Sequence, residues 1–388
     1  MKPGYASEIA SLSEQGRLRT LRPLPSTGGK FVWDGRDILN FSSNDYLNLA
    51  SDRRVKAGAA QAVETLGCGA TASRLMSGDL ALHEEVERGL ARLVGQESAL
   101  LFGSGFLTNL GVLSALAGRR DTIFADRLNH ASLVDGALLS RARVKRYGHC
   151  DIRRLASLLE SADCPGRKII VSDSVFSMDG DFAPLSGLSE LAERHGALLV
   201  IDEAHAIGVF GEGGGGLCRS AQAGILPDVT IGTLGKALGG YGGFAACCGE
   251  LRRLLINRAR SFIYSTGLPP ACLGGARAAL QVLKRSPQLG ATLLERAGLL
   301  RGLLREAGFD VPEGESQIIP LMVGENERAL TLSRAALDQG VLAVAVRPPT
   351  VPEGTARLRL SVTLAHTEAD LEAAAQRLRA AARTAGAL

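Results

Sequence analysis

Short apolar runs recur along the first two thirds of the chain: Ala99-Leu-Leu-Phe102, Thr122-Ile-Phe-Ala125, Lys168-Ile-Ile-Val-Ser172, Ala197-Leu-Leu-Val-Ile201 and Val229-Thr-Ile231. Each is short and bounded by polar or turn residues, so each reads as a strand buried on both faces. The segments between them are long enough for crossover helices. One predicted helix starts at about Asp79 as N-cap, with Leu82, Val86, Leu90 and Leu93 on one face and Glu84, Glu85 and Arg88 on the other. Such alternation predicts an α/β fold with a mainly parallel sheet flanked by helices.

After Leu268-Pro-Pro270 the pattern changes to long Ala/Leu/Arg helices, at about 271–284 and 290–307. Strand-like segments near 317–323 and 356–362 follow, then a helix from about Glu368, which together predict a smaller α+β domain. The N-terminal stretch has a helical pattern up to about Arg17 and strands near Phe31 and Ile38. Lacking partners of its own, it is expected to pack on the second domain. The expected division is an N-terminal segment 1–41, a large domain 42–275 and a small C-terminal domain 276–388. The run Gly213 to Gly216 reads as a flexible loop.

Composition narrows the function classes. A chain of 388 residues exceeds the usual single-domain size, in keeping with a large and a small domain. The 44 basic and 40 acidic residues leave a net charge of +4, too little to favour nucleic-acid binding. Seven cysteines, an odd number without C-x-x-C spacing, fit reduced thiols in a cytoplasmic protein and carry no assigned role. No basic-then-apolar leader opens the sequence, and no run reaches the ~18 apolar residues of a membrane span. A cytoplasmic protein without membrane insertion is expected, and no metal ligands are assigned.

Candidate chemistry clusters at predicted strand ends. The run Ala197 to Ile201 ends in Asp202-Glu-Ala-His205, which places a carboxylate and an imidazole at the carboxyl edge of an open sheet, where ligands bind. A carboxylate there can hold a pyridine nitrogen protonated and make the ring an electron sink, while His205 can bond a ring hydroxyl. Taken alone, such an Asp more often caps a turn. Asp-Glu-Ala-His also occurs in helicases, but that reading needs a phosphate loop. The one candidate, Gly235-Lys236, is followed by Ala237 and lacks the first glycine. Lys236 follows the strand Val229–Ile231 within Thr233-Leu-Gly-Lys236-Ala-Leu-Gly-Gly240, a glycine-rich loop that lets backbone approach a flat ligand. Partial burial there would free its amine for Schiff-base chemistry. Gly103-Ser-Gly105-Phe106 opens a helix after a strand and can cradle a phosphate. His130 and Ser177 follow two further strands to the same edge. Gly211 to Gly216 formally matches G-x-G-x-x-G, without a leading strand or following helix, and is set aside.

Together these motifs resemble the α-oxoamine synthases, pyridoxal-phosphate (PLP) enzymes of fold type I that condense an amino acid with an acyl thioester and release carbon dioxide. The resemblance spans essentially the whole chain. It rests on Asn40-Phe-Ser-Ser-Asn-Asp-Tyr-Leu47, Asn129-His-Ala-Ser132, Val175-Phe-Ser-Met-Asp-Gly-Asp181, Asp202-Glu-Ala-His205, Thr233-Leu-Gly-Lys236 and Ile263-Tyr-Ser-Thr-Gly-Leu-Pro-Pro270. Within the family, Val346-Arg-Pro-Pro-Thr-Val-Pro-Glu-Gly-Thr-Ala-Arg-Leu-Arg-Leu360 is similar to the biotin-pathway branch. The departures are Ala206-Ile207 after His205, where Gly-Thr is common, and Leu75, where that branch often has His.

The resemblance implies that L-alanine and a pimeloyl thioester, carried by CoA or acyl carrier protein, give 8-amino-7-oxononanoate and carbon dioxide. The alternative is a sister enzyme such as a glycine C-acetyltransferase. It implies PLP held by Lys236, a pyridinium contact from Asp202, a ring-hydroxyl contact from His205 and stacking by His130. Gly105, Phe106, Ser177 and Thr233 would complete the cofactor site. Ser265 or Thr266 would reach the phosphate from a partner chain, in a homodimer whose active site lies at the interface. Arg347 would bind the amino-acid carboxylate, and Asn44, Thr350 and Arg22 would contact substrate. A guanidinium suits a distal carboxylate, and Arg17 or Arg19 could take the place of Arg22.

Overall fold

All five apolar runs become strands of one sheet. The structure, a computed structural model describing residues 4–386, orders that sheet as Ser98–Phe102, Gly243–Cys247, Val229–Thr233, Leu198–Asp202, Lys168–Asp173, Thr122–Asp126 and Arg143–Tyr147. Gly243–Cys247 runs antiparallel to both neighbours, and the remaining pairs are parallel. The parallel register brings Asp126, Asp173 and Asp202 to one carboxyl edge, with Asp173 directly across from Asp202. Leu100, Ile123, Ile169, Val200 and Ile231 of the sheet share one buried apolar cluster with Val112, Leu113 and Leu116 of the helix Gly105–Leu116.

Two of these strands escape the hydrophobic pattern for physical reasons. Arg143–Tyr147 pairs on one side only, so its charged, largely unburied residues need no apolar partners. Gly243–Cys247 is fully buried but built of small residues around Phe244. A methyl added at Gly232 on the neighbouring strand would lie 2.3 Å from the Phe244 ring, so small side chains are what this pair accommodates.

Two local expectations need correcting. The helix Ala81–Val94 is capped at Leu80 rather than Asp79, because His83 Nδ1 accepts the Leu80 N–H at 3.1 Å while Asp79 pairs with Arg74 at 2.7 Å. The glycine run is a packed turn rather than a flexible loop. Gly214 to Gly216 are buried, Gly216 has φ +105°, and a methyl there would sit 1.8 Å from Glu203 Oε2.

This sheet belongs to a unit comprising Leu47–Ser177 and Asp181–Ala291. The second unit gathers the chain up to Tyr46, Met178–Gly180 and the chain from Thr292 onward. Its N-terminal strands Lys30–Trp33 and Arg36–Asn40 form a hairpin extended in parallel by Val341–Leu342. A second sheet orders Ile318–Gly324, Ala356–Ser361 and Val344–Val346. The expected boundary at 275 falls inside the helix Pro270–Arg285, which Pro270 opens in its first turn. Among the described residues no helix is long and apolar enough to cross a membrane.

Candidate active site

The strand Leu198–Asp202 delivers a carboxylate that is 5% exposed. Asn109 Nδ2, from the helix Gly105–Leu116, donates to Asp202 Oδ2 at 2.7 Å and lies 2.8 Å from Ser132 Oγ, and the Ala204 N–H donates to Oδ1 at 2.9 Å. Ser132 Oγ in turn lies 2.7 Å from His130 Nδ1. His130 caps the helix Ala131–Ser140, and its own N–H donates to Asp173 Oδ2 at 2.8 Å. A continuous polar chain therefore links His130, Ser132, Asn109 and Asp202, with Asp173 beneath it. Such a chain fixes an imidazole's orientation relative to a carboxylate more firmly than isolated contacts would.

Lys236 follows the strand Val229–Thr233 and is half-buried, with Nζ 2.7 Å from His205 Nε2. The donor in that bond follows the imidazole tautomer. Thr233 Oγ1 donates to Gly242 O at 2.9 Å and accepts the Gly235 N–H at 3.1 Å, which braces the loop that carries the lysine. Burial raises the Asp173 pKa well above the carboxylate range, and the Asp202 charge raises it further against the pull of the His130 N–H and Lys236. Desolvation lowers the His130 pKa, with Asp202 raising and Lys236 lowering it, although the residue keeps an exposed face. Lys236, His130, Asp173 and Asp202 thus lie within each other's fields.

The same edge carries a helix start. Ser104 Oγ accepts the Leu107 N–H at 3.2 Å, and the first-turn N–H groups of Gly105 and Phe106 have no intrahelical acceptor. Phe106 is 44% exposed and meets His130 edge-on, with ring centroids 6.5 Å apart. An amine, a buried carboxylate, an exposed imidazole face and a helix N-terminus beside Thr233 are the donor set that PLP requires, and these residues fit it. Gly243 makes the helix start possible, since a methyl there would lie 2.4 Å from Thr108 Oγ1 and 2.6 Å from Gly105 N. Gly243→Ala is expected to weaken PLP binding about tenfold or more, a loss of ~1.4 kcal/mol. Spectroscopic titration of the apoenzyme with PLP checks this; unchanged affinity would remove the helix start from the phosphate site.

Glu203, next to Asp202, is fully buried and accepts the Leu217 and Cys218 N–H groups at 3.1 and 3.3 Å. Burial raises its pKa from 4.5 to about 7, despite the hydrogen bonds from the Cys218 and Leu217 N–H groups that lower it. Because the folded pKa is the higher one, its contribution to stability is complete below about pH 4.5 and is lost as pH rises through about 7. Glu203→Gln should therefore flatten the fall in Tm between pH 5 and 8 by an amount equivalent to about 3 kcal/mol. Thermal melts of both proteins across that range measure it, and parallel pH profiles would refute the assignment.

The remaining sequence candidates are placed as follows. Ser177 sits half-buried on the loop after Lys168–Asp173. Thr266 bridges Ser73 in an isolated β-contact, and the adjacent Gly267 N–H donates to Ala72 O at 3.0 Å, so Ser265 and Thr266 lie on a turn pinned to residues 72–73. In the second unit, Asn44 Oδ1 accepts from Arg359 at 3.0 Å and from the Tyr46 hydroxyl at 3.2 Å. Arg347 donates to the carbonyls of Gly16 and Leu18, and desolvation lowers its pKa, aided by Arg19. Arg19 Nη2 donates to Thr350 Oγ1 at 3.2 Å, whereas the exposed Arg22 stacks over Trp33 at 5.7 Å. Sequence reasoning missed Asn109 and Asp173. The signal for Asn109 was an amide in a mainly apolar helix, and the signal for Asp173 was another strand ending in a carboxylate.

Known proteins resemble this chain over nearly its whole length. The model of the aminotransferase class I and II family matches residues 36–378. An 8-amino-7-oxononanoate synthase of Geobacter sulfurreducens is 49% identical over 378 residues, covering 96% of each chain. A lysine-to-alanine variant of serine palmitoyltransferase from S. paucimobilis, with a PLP–myriocin aldimine bound, superimposes with a TM-score of 0.93 at 30% identity, covering 100% of this chain and 98% of the other. An 8-amino-7-oxononanoate synthase from Francisella tularensis gives 0.74 at 28% identity, covering 89% of this chain and 98% of the other. With its lysine, carboxylate and imidazole gathered on one sheet edge and its sequence matched almost end to end, the chain belongs to the PLP-dependent α-oxoamine synthases, fold type I enzymes within the class I and II aminotransferase family.

Proposed function

We propose that this enzyme condenses L-alanine with a pimeloyl thioester, releasing carbon dioxide and giving 8-amino-7-oxononanoate, a step of biotin biosynthesis. The observation that carries this reading is the near full-length identity to curated 8-amino-7-oxononanoate synthases, between 43% and 49%, in a chain that retains Lys236 beside His205 and Asp202 bonded to Asn109. PLP, when bound, supplies an electron sink for the charge left by loss of a proton and of carbon dioxide. Lys236 supplies the amine that holds the cofactor, and once released it removes the α-proton of alanine and later returns one. Asp202 holds the ring nitrogen protonated, His130 covers one ring face, and His205 bonds the ring hydroxyl and steadies Lys236 Nζ. The N–H groups of Gly105 and Phe106 take the phosphate, with Ser177 and Thr233 completing the pocket and Ser265 or Thr266 reaching it from the partner chain of a homodimer.

On the substrate side, Arg347 takes the alanine carboxylate and Asn44 and Thr350 line the approach. Arg19 is better placed than Arg22 to meet the distal carboxylate of pimelate, since it already reaches Thr350 while Arg22 is engaged with Trp33. The cytoplasm is the proposed location. Steady-state kinetics with alanine against pimeloyl-CoA and pimeloyl carrier protein, and with glycine against acetyl-CoA, test the reading. Faster turnover of glycine and acetyl-CoA would replace it with the sister activity.

A further inference from the structure

The same carboxyl edge carries a second cluster that the proposed reaction does not use. Asp126 ends the strand Thr122–Asp126, and His149 and Cys150 follow the neighbouring strand Arg143–Tyr147. One ligand atom from each of Asp126, His149 and Cys150 falls within 4.8 Å of the others. His149 Nδ1 lies 3.2 Å from Asp126 Oδ1 and 3.8 Å from Cys150 Sγ, and its Nε2 lies 2.6 Å from Asp181 Oδ2.

We infer that Asp126, His149 and Cys150 form a binding site for a borderline divalent transition-metal ion, Zn²⁺ foremost, with Asp181 as the carboxylate that orients the imidazole. Tetrahedral zinc, with bonds of ~2.0 Å to N or O and ~2.3 Å to S, separates its nitrogen and oxygen ligands by about 3.3 Å and its nitrogen and sulfur ligands by about 3.5 Å. The observed 3.2 Å between Asp126 Oδ1 and His149 Nδ1 matches the first separation, whereas Cys150 Sγ, 3.8 Å from Nδ1 and 3.7 Å from Nε2, lies against the ring and would reach the metal by rotation about its Cα–Cβ bond. A carboxylate on the far imidazole nitrogen is the usual outer support of a metal-bound histidine, and Asp181 occupies that place. The donor set of one imidazole, one thiolate and one carboxylate suits zinc rather than calcium or magnesium.

The backbone supplies an independent argument. Cys150 has φ +55°, a conformation that non-glycine residues other than Asn, Asp and His seldom adopt, and its N–H is held by Asp126 Oδ2 at 2.7 Å. Backbone strain of this kind is a recurrent feature of functional sites, and the Cys150 thiol lies between the His149 ring and Phe182 O, 3.6 Å away. His149 is 21% and Asp181 40% exposed, so solvent reaches the cluster and can supply a fourth ligand. On binding, the Cys150 thiol and His149 Nδ1 each release a proton to solvent, and the metal takes both lone pairs. Bound metal would tie the ends of two strands to the Val175–Phe182 bridge, where the Phe176 N–H meets Asp181 O, on the loop that carries Ser177.

Without metal, His149 would instead be a doubly protonated clamp. Burial opposes its charge, but the bonds to Asp126 and Asp181 outweigh burial and raise its pKa to about 12. Co²⁺ titration of chelator-treated holoenzyme separates the two states. The expected result is one Co²⁺ per chain with the visible bands of a tetrahedral thiolate-ligated ion, displaced by Zn²⁺. Cys150→Asn, whose side chain tolerates the positive φ, should lose the sulfur-dependent intensity and bind at least about tenfold more weakly. Asp181→Asn should weaken binding by about 10–100-fold. Wild-type protein that binds no more metal than Cys150→Asn, or a cobalt spectrum without a sulfur ligand, would overturn the site. An unchanged PLP spectrum in each variant shows that the fold is intact, and the wild-type spectrum decides the question even if a variant fails to fold.

Discussion

Lys236→Ala is expected to lose turnover by about 10³-fold or more, within the range that removal of a positioned proton-transfer group produces and with covalent attachment of the cofactor lost besides. Lys236 Nζ is held 2.7 Å from His205 Nε2 on a loop braced at Thr233, so no other amine on that loop can take its place. The variant should bind PLP noncovalently, lack the Schiff-base absorbance, and release the cofactor after borohydride treatment that fixes it in the wild type. Because Lys236 is only half-buried, the Tm without PLP should change little. Retention of a tenth of wild-type turnover would mean that another group moves the proton. Lys236→Arg keeps a cation but no free amine at neutral pH, and should be as inactive as the alanine variant.

Replacing Asp202 should have the next largest effect, and its two variants should differ. Asp202→Asn preserves shape, but its single amide oxygen can accept from only one of Asn109 and the Ala204 N–H, so its stability should fall by about 1 kcal/mol. It cannot hold a pyridinium by charge, and turnover should fall by about 10²–10³, the loss typical of a single preorganised electrostatic contact. Asp202→Ala should add a stability loss of about 1–3 kcal/mol, because it leaves the buried Asn109 amide without its acceptor. Either variant removes the negative charge that helps to raise the Asp173 pKa, which should then move down. Near-normal turnover in Asp202→Asn, with PLP bound, would show that the charge at this position is not what makes the ring an electron sink.

Much of the large unit is legible in the order of its amino acids. The five double-buried strands announce themselves because residues buried on both faces must be apolar at every position. The strand-end motifs at Asp202, His130 and Lys236 can be read because parallel strands deposit their carboxyl ends on one edge. The edge strand Arg143–Tyr147 is hidden by its exposure, and Gly243–Cys247 by its small side chains, which make sense only against Phe244 folded over Gly232.

The candidate site divides along the same line. The groups proposed to react, Lys236, Asp202, His130 and His205, are visible in the amino-acid order as polar residues following predicted strands. Folding selects the groups that stand behind them. Asn109 comes from a helix, Ser132 from another, and Asp173 from the strand adjacent to Asp202, and no spacing in the chain connects them. The choice between Arg19 and Arg22 also depends on the fold, because only there does one guanidinium reach Thr350 and the other rest on Trp33. One cause is common to all of these. Burial periodicity and backbone preference are local and written into neighbouring residues, whereas hydrogen-bond partners and electric fields depend on distances in space that the chain reaches only by folding.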